Sequence, residues 1–116
     1  MQTSPDYNSF WPVYLAAHRR PATRAIHMTG TAASIALVLA ALAFRNLWLL
    51  PAAVIVGYGF AWLSHAIVER NRPATFRHPL WSIFSDFRML LLWLGGRLSG
   101  ELARHGIGPD QGGAPN

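Results

Sequence analysis

The sequence predicts an all-α membrane protein: a helical hairpin of two transmembrane spans, flanked by an N-terminal interfacial helix and a third amphipathic or membrane-embedded helix. Three observations carry that prediction. Two long runs, residues 25–44 and 47–68, contain no formally charged side chain. Only 13% of all residues are charged and 52% are hydrophobic, where an ordinary soluble domain has about a quarter charged. Arginine-rich segments containing prolines (Pro21, Pro73, Pro79) bracket the two runs.

The elements follow in order. Ser9 to Arg19 reads as a short helix with Ser9 as N-cap, its apolar positions Phe10, Trp11, Tyr14 and Leu15 suited to a membrane interface. The segment RRPATR then bends the chain into the first span, because Pro21 lacks an N–H and restricts the residue before it. Each charge-free run approaches the roughly 20 residues that cross a bilayer core. Backbone groups in lipid must be paired within their own segment, so both runs are expected to be helices. The alternative is a buried hairpin in a soluble protein, but a chain of 116 residues leaves little sequence to cover it. Arg45-Asn46 form the tip. Pro73 turns the chain after the second span, and Pro79 fits the first turn of a helix from Leu80 to about Gly95. Residues 1–104 are thus one helical membrane domain, and 105–116, His105 included, read as a disordered tail.

Charge orients the hairpin. Arg19, Arg20 and Arg24 precede the first span, Arg70, Arg72 and Arg77 follow the second, and Arg45 alone marks the connection. By the positive-inside rule both termini are cytoplasmic. The expected location is integral and multi-pass, in a bacterial cell membrane or, in a eukaryote, the endoplasmic reticulum. The N-terminus MQTSPDYNSF has no basic segment before an apolar core, so no cleavable signal peptide is expected. The net charge of +5 comes without a basic stripe interleaved with aromatics, which argues against a nucleic-acid partner. With no cysteine there is no disulfide, thiolate ligand or thiol nucleophile.

Four of the five histidines gather at one depth. His27 and His65 each lie about nineteen residues from the tip, roughly 28 Å along a helix. His18 and His78 lie just outside the spans on the same side. Convergent imidazoles without cysteine point to a metal, with iron, zinc and copper all admissible. For any single histidine, hydrogen bonding at the interface is the ordinary reading; the four together favour a metal. Five histidines are too few for a di-iron membrane desaturase, and a bis-histidine haem would leave His18 and His78 unexplained. Glu69, one turn after His65, is the candidate acceptor for a ring N–H.

The stretches FWPVYLAAHRRPATRAIHMTGT and GYGFAWLSHAIVERNRPATFRHPLWSIFSDFRM resemble the two signature blocks of the Mpo1-like family, over Phe10 to Met89. The resemblance implies an Fe(II)-dependent dioxygenase that converts 2-hydroxy fatty acids to the fatty acid one carbon shorter, in fatty-acid α-oxidation. It implies metal roles for His18, His27, His65 and His78. Four imidazoles and a bidentate substrate would then fill six positions and leave none for O2, and His18, on its separate helix, is the expected weakest ligand. The conversion of a 2-hydroxy acid and O2 to the shorter acid, carbon dioxide and water needs no outside electrons. That agrees with the lack of a nucleotide-binding glycine pattern. Arg24, Arg70, Arg72 and Arg77 are candidates for the substrate carboxylate, and Gly30, Ala33, Gly57 and Gly59 for contact with the acyl chain. Membrane lipid is the other expected partner. Two further classes stay open: a scaffold binding anionic lipid or a protein partner, and a zinc-dependent lipid hydrolase.

Overall fold

A computed structural model describes residues 5–72 and 77–107. It is all-helical, with no strand among the described residues: α1 Tyr7–Ala16, α2 Pro21–Ala43, α3 Leu49–Leu63 running on into a π-helical turn Ser64–Glu69, α4 Pro79–Leu94 and α5 Leu98–Arg104. The turn expected at Pro73 and most of the expected tail lie outside the described residues.

α2 and the combined α3 and π turn form the hairpin, of 23 and 21 residues, both long and apolar enough to cross a membrane. Only 28% and 22% of their apolar windows are buried, unlike the core helices of a soluble protein. Pro21 and Pro79 stand at the first helical positions of α2 and α4, where a missing N–H costs nothing. The first span therefore begins at the proline rather than after the RPATR segment. The tip closes with Arg45 in the left-handed region (φ 52°) and Asn46 N donating to Ala41 O at 3.0 Å, a Schellman closure with arginine where glycine is usual. Small residues bring the two helices together. Ser34 Oγ donates to Ala53 O at 2.8 Å, and a Cβ on Gly30 would collide with Phe60 Cβ. Gly30 therefore serves helix contact, and Gly59 faces open space.

The open end of the hairpin is capped by α1, α4 and α5, whose buried Phe10, Trp11, Tyr14, Leu15, Met89, Leu98 and Leu102 form one cluster with Met28 of α2. Asp6 caps α1 by accepting from Ser9 N at 2.8 Å, so the N-cap lies three residues before the expected Ser9. Trp11 Nε1 donates to Glu101 Oε2 at 2.7 Å, and Tyr7 Oη pairs with Ser85 Oγ at 2.9 Å, tying α1 to α5 and α4. α1 buries Phe10, Trp11, Tyr14 and Leu15 in this cap. α5 lies beyond the helix expected to end near Gly95, and it draws His105 and Ile107 in. His105 Nε2 lies 3.4 Å from Glu101 Oε2 and Ile107 packs on the cluster.

α4 wears its polar face inward. Ser82 and Ser85 are buried, while Leu80, Phe84, Phe87, Leu91 and Leu94 make an exposed apolar stripe at helical spacing.

Gly30→Ala is expected to destabilise the fold by about 1–3 kcal/mol, because Phe60 meets the new methyl at its own Cβ and cannot swing aside. Thermal unfolding in detergent reads this, and an unchanged Tm would show that the helices do not meet there.

Candidate metal centre

His18 and His65 are aimed by local irregularities of their helices, and His27 by the turn that precedes its own. α1 ends at Ala16, and His18 N donates to Leu15 O, which leaves the Tyr14 carbonyl without its usual partner. The His18 ring supplies one: Nδ1 donates to Tyr14 O at 2.7 Å. Arg20 enters α2 in extended conformation, and the turn from α1 lets His27, nine residues on, face back towards His18. Arg24 Nη1 holds that turn by donating to His18 O and Arg19 O, both at 2.8 Å.

His65 sits in the π-helical turn, where one extra residue rotates the side chains that follow. Arg70 then takes a left-handed conformation (φ 60°), and Asn71 N folds back to donate to His65 O at 3.0 Å. This return puts Asn71 Oδ1 2.7 Å from His65 Nδ1. Asn71 Nδ2 donates to Ala17 O at 3.1 Å, which fixes which end of the amide faces the ring.

The tautomers follow from these partners. His18 Nδ1 and His65 Nδ1 both face carbonyl oxygens, so both must donate, and both Nε2 atoms carry bare lone pairs. Those two Nε2 atoms are 2.9 Å apart. His27 Nδ1 lies 2.8 Å from the same His18 Nε2, and its Nε2 lies 3.0 Å from Asp86 Oδ1, outside hydrogen-bond alignment. A proton on either nitrogen of His27 leaves the other facing an acceptor. No assignment of three neutral rings satisfies every contact. A shared cation would satisfy all three inward nitrogens. An extra proton is the poorer answer. Burial, and then the neighbouring His27 and His65 rings, hold the His18 imidazole well below its ordinary value of 6.5. The residues therefore fit a metal ion.

His18, His27 and His65 are all buried, with one potential ligand atom from each within 4.8 Å of the others. Among the described residues they are the group that meets this test. His18, expected to be the weakest ligand, is the hub: its Nε2 contacts both other rings. His78 is not brought into the group. It precedes Pro79 outside helical conformation (φ −139°, ψ 78°), and its ring stacks on Trp81 (4.6 Å between centroids) and meets Phe10 edge-on at 5.2 Å. Glu69 does not receive a ring N–H. Its Oε2 accepts from Arg20 N at 2.8 Å and Thr23 Oγ1 at 2.7 Å, capping the start of α2 from the end of the other span. The ring partners are instead the Tyr14 carbonyl, Asn71 and Asp86, the last also accepting from Tyr14 Oη at 2.5 Å. Arg70, Arg72 and Arg77 are exposed beside this layer. Asn71 gave no signal in the sequence, since its approach depends on the left-handed turn at Arg70. Asp86 stood out only as a charge within an apolar helix.

Residues 4–98 match the family model for 2-hydroxy-palmitic acid dioxygenase Mpo1-like proteins. The chain belongs to the Mpo1-like family. The match extends beyond both ends of the stretch in which the resemblance was legible, and it contains every residue of the three-histidine site. No curated protein and no solved structure matches the chain.

Because Asn71 and Asp86 orient their rings without touching the lone pairs, Asn71→Leu and Asp86→Leu should each weaken metal affinity about 10–100-fold. Competition with a chelator measures this, and an affinity unchanged in both would remove their orienting role. The metal-free protein should lose stability as pH falls below 6.5, because the unfolded chain protonates His18 there and the folded one resists. Asp6 and Glu101, held below their ordinary values of 3.8 and 4.5, act only in a more acid window. A Tm that rises between pH 7.5 and 5.5 would contradict a buried neutral His18.

Proposed function

We propose that the protein is an Fe(II)-dependent membrane dioxygenase that converts a 2-hydroxy fatty acid and O2 to the fatty acid one carbon shorter, with carbon dioxide and water. The observation that carries this reading is the convergence of three buried imidazole lone pairs in a chain of the Mpo1-like family. His18, His27 and His65 hold the metal. Iron(II) bound by them would supply the redox centre at which O2 and the 2-hydroxy acid meet. Three protein ligands leave room for a bidentate substrate and O2, where four did not.

The remaining residues position and attract. The Tyr14 carbonyl and Asn71 keep His18 and His65 with their Nε2 lone pairs inward, and Asp86 stands against His27. Arg70, Arg72 and Arg77 draw the substrate carboxylate to the surface, while Arg24 is committed to the α1–α2 turn. Glu69 keeps the two ends of the hairpin in register, and His78 braces α4 against α1 through Phe10. α2 and α3 cross the bilayer, the apolar stripe of α4 faces lipid, and both termini lie on the arginine-rich cytoplasmic side.

The test is the metal content of anaerobically purified protein, followed by oxygen uptake on adding 2-hydroxypalmitate. Stoichiometric iron, with O2 consumed and carbon dioxide released in proportion to substrate, is expected. Zinc without uptake would replace the dioxygenase with a hydrolase, and no metal would replace it with a scaffold. His18→Ala, His27→Ala and His65→Ala should each lower iron affinity by about 100-fold or more, whereas His78→Ala keeps the iron. Full iron retention in any of the first three would refute the ligand set.

A further inference from the structure

A groove of about 210 Å³ runs between α2, α3 and α4. Its inner end is Asp86, whose Oδ1 stands 3.0 Å from His27 Nε2, and Thr31, one turn beyond His27. The groove therefore ends against residues that border the three-histidine centre. Away from Asp86 its walls carry no charged side chain, and Val54, Gly57, Ile83 and Phe87 are among them. Gly57 keeps it narrow: a Cβ there would already stand 3.3 Å from Ser34 Oγ. The outer walls are themselves exposed, Val54 by 56%, Ile83 by 38% and Phe87 by 43%. The groove thus opens sideways, onto the same apolar face as the exposed stripe of α4, and not onto the arginine layer.

We propose that this groove seats the acyl chain of the 2-hydroxy fatty acid, which enters laterally from lipid between α3 and α4, with Asp86 marking the boundary between head and chain. The assignment rests on the dioxygenase reading for the identity of the occupant. An apolar trough leading from a buried centre to a lipid-facing opening suits a molecule that already lies in the bilayer. A groove of this size holds about seven groups of water-like volume, at roughly 30 Å³ each. The site then grips only the methylenes nearest the reacting carbons and leaves the rest of the chain in lipid. Substrates of 12, 16 and 20 carbons should consequently be handled alike.

The experiment uses iron-loaded full-length protein in lipid nanodiscs and a 2-hydroxy fatty acid carrying a diazirine near carbon 6. Irradiation and peptide mass spectrometry map the adducts. They should concentrate on Val54, Gly57, Ile83 and Phe87, and be suppressed by excess unlabelled 2-hydroxypalmitate. Val54→Trp should remove them and lower kcat/KM for oxygen uptake about tenfold or more, with iron content unchanged. Ile83→Trp narrows the groove from the other wall and should do the same if the first variant folds poorly. Adducts spread evenly over Leu39, Leu42 and Ile55, or adducts that 2-hydroxypalmitate does not displace, would overturn the proposal. Groove adducts without oxygen uptake by the parent protein would sink the dioxygenase reading and leave the groove as a fatty-acid site. Normal uptake with adducts elsewhere would sink the groove alone.

Discussion

The facing lone pairs of His18 and His65 are the constraint on which the rest of the site depends. Each Nδ1 is committed to a carbonyl oxygen, so each Nε2 must look inward, 2.9 Å from the other. Both rings are fully buried, and two facing lone pairs cannot relieve each other. Such an arrangement costs stability unless a cation occupies the gap, and these buried rings could hold one. The irregularities nearby have the same effect. The early end of α1, the π turn and the left-handed Arg70 each give up regular helix geometry to aim a ring or its partner.

Holding three rings from three segments in place demands that the hairpin's ends stay in register. Glu69 provides this with one carboxylate, accepting from the backbone N–H of Arg20 and the hydroxyl of Thr23 at the positive end of α2. Asn71 adds a second tie, spanning from His65 to the Ala17 carbonyl. Tyr14 adds a third through Asp86, so that α1, α2 and α4 share one polar network around the rings. A small chain with few buried aliphatic contacts between these segments needs such links, because packing alone would leave the ring positions loose.

The division between the two halves of the molecule follows from their surroundings. The hairpin contacts itself through glycine, alanine and serine and leaves its larger side chains outward, the pattern of helices whose surroundings are as apolar as their interface. The cap of α1, α4 and α5 instead buries Phe10, Trp11, Tyr14, Leu15 and Met89 in a conventional core. The histidines lie where the two halves meet. There the rings are buried while the apolar groove beside Asp86 stays open.

The sequence by itself determined the helical hairpin, its tip at Arg45-Asn46, the shared depth of His27 and His65, and the family. These are properties of runs, spacings and motifs, and a helix of fixed rise converts spacing directly into position. Only the tertiary structure decided which histidines meet. His78 looked equivalent to His18 by its distance from the spans, yet one ring caps a helix end and turns inward while the other stacks on Trp81. Glu69 looked like a ring partner because it lies one turn from His65, but the π turn removes that register and the carboxylate goes to α2. Asn71 and Asp86 reach the rings from a left-handed turn and a separate helix. Direction of a side chain at a helix end depends on one or two dihedral angles and on what packs against them, and neither is written in residue spacing.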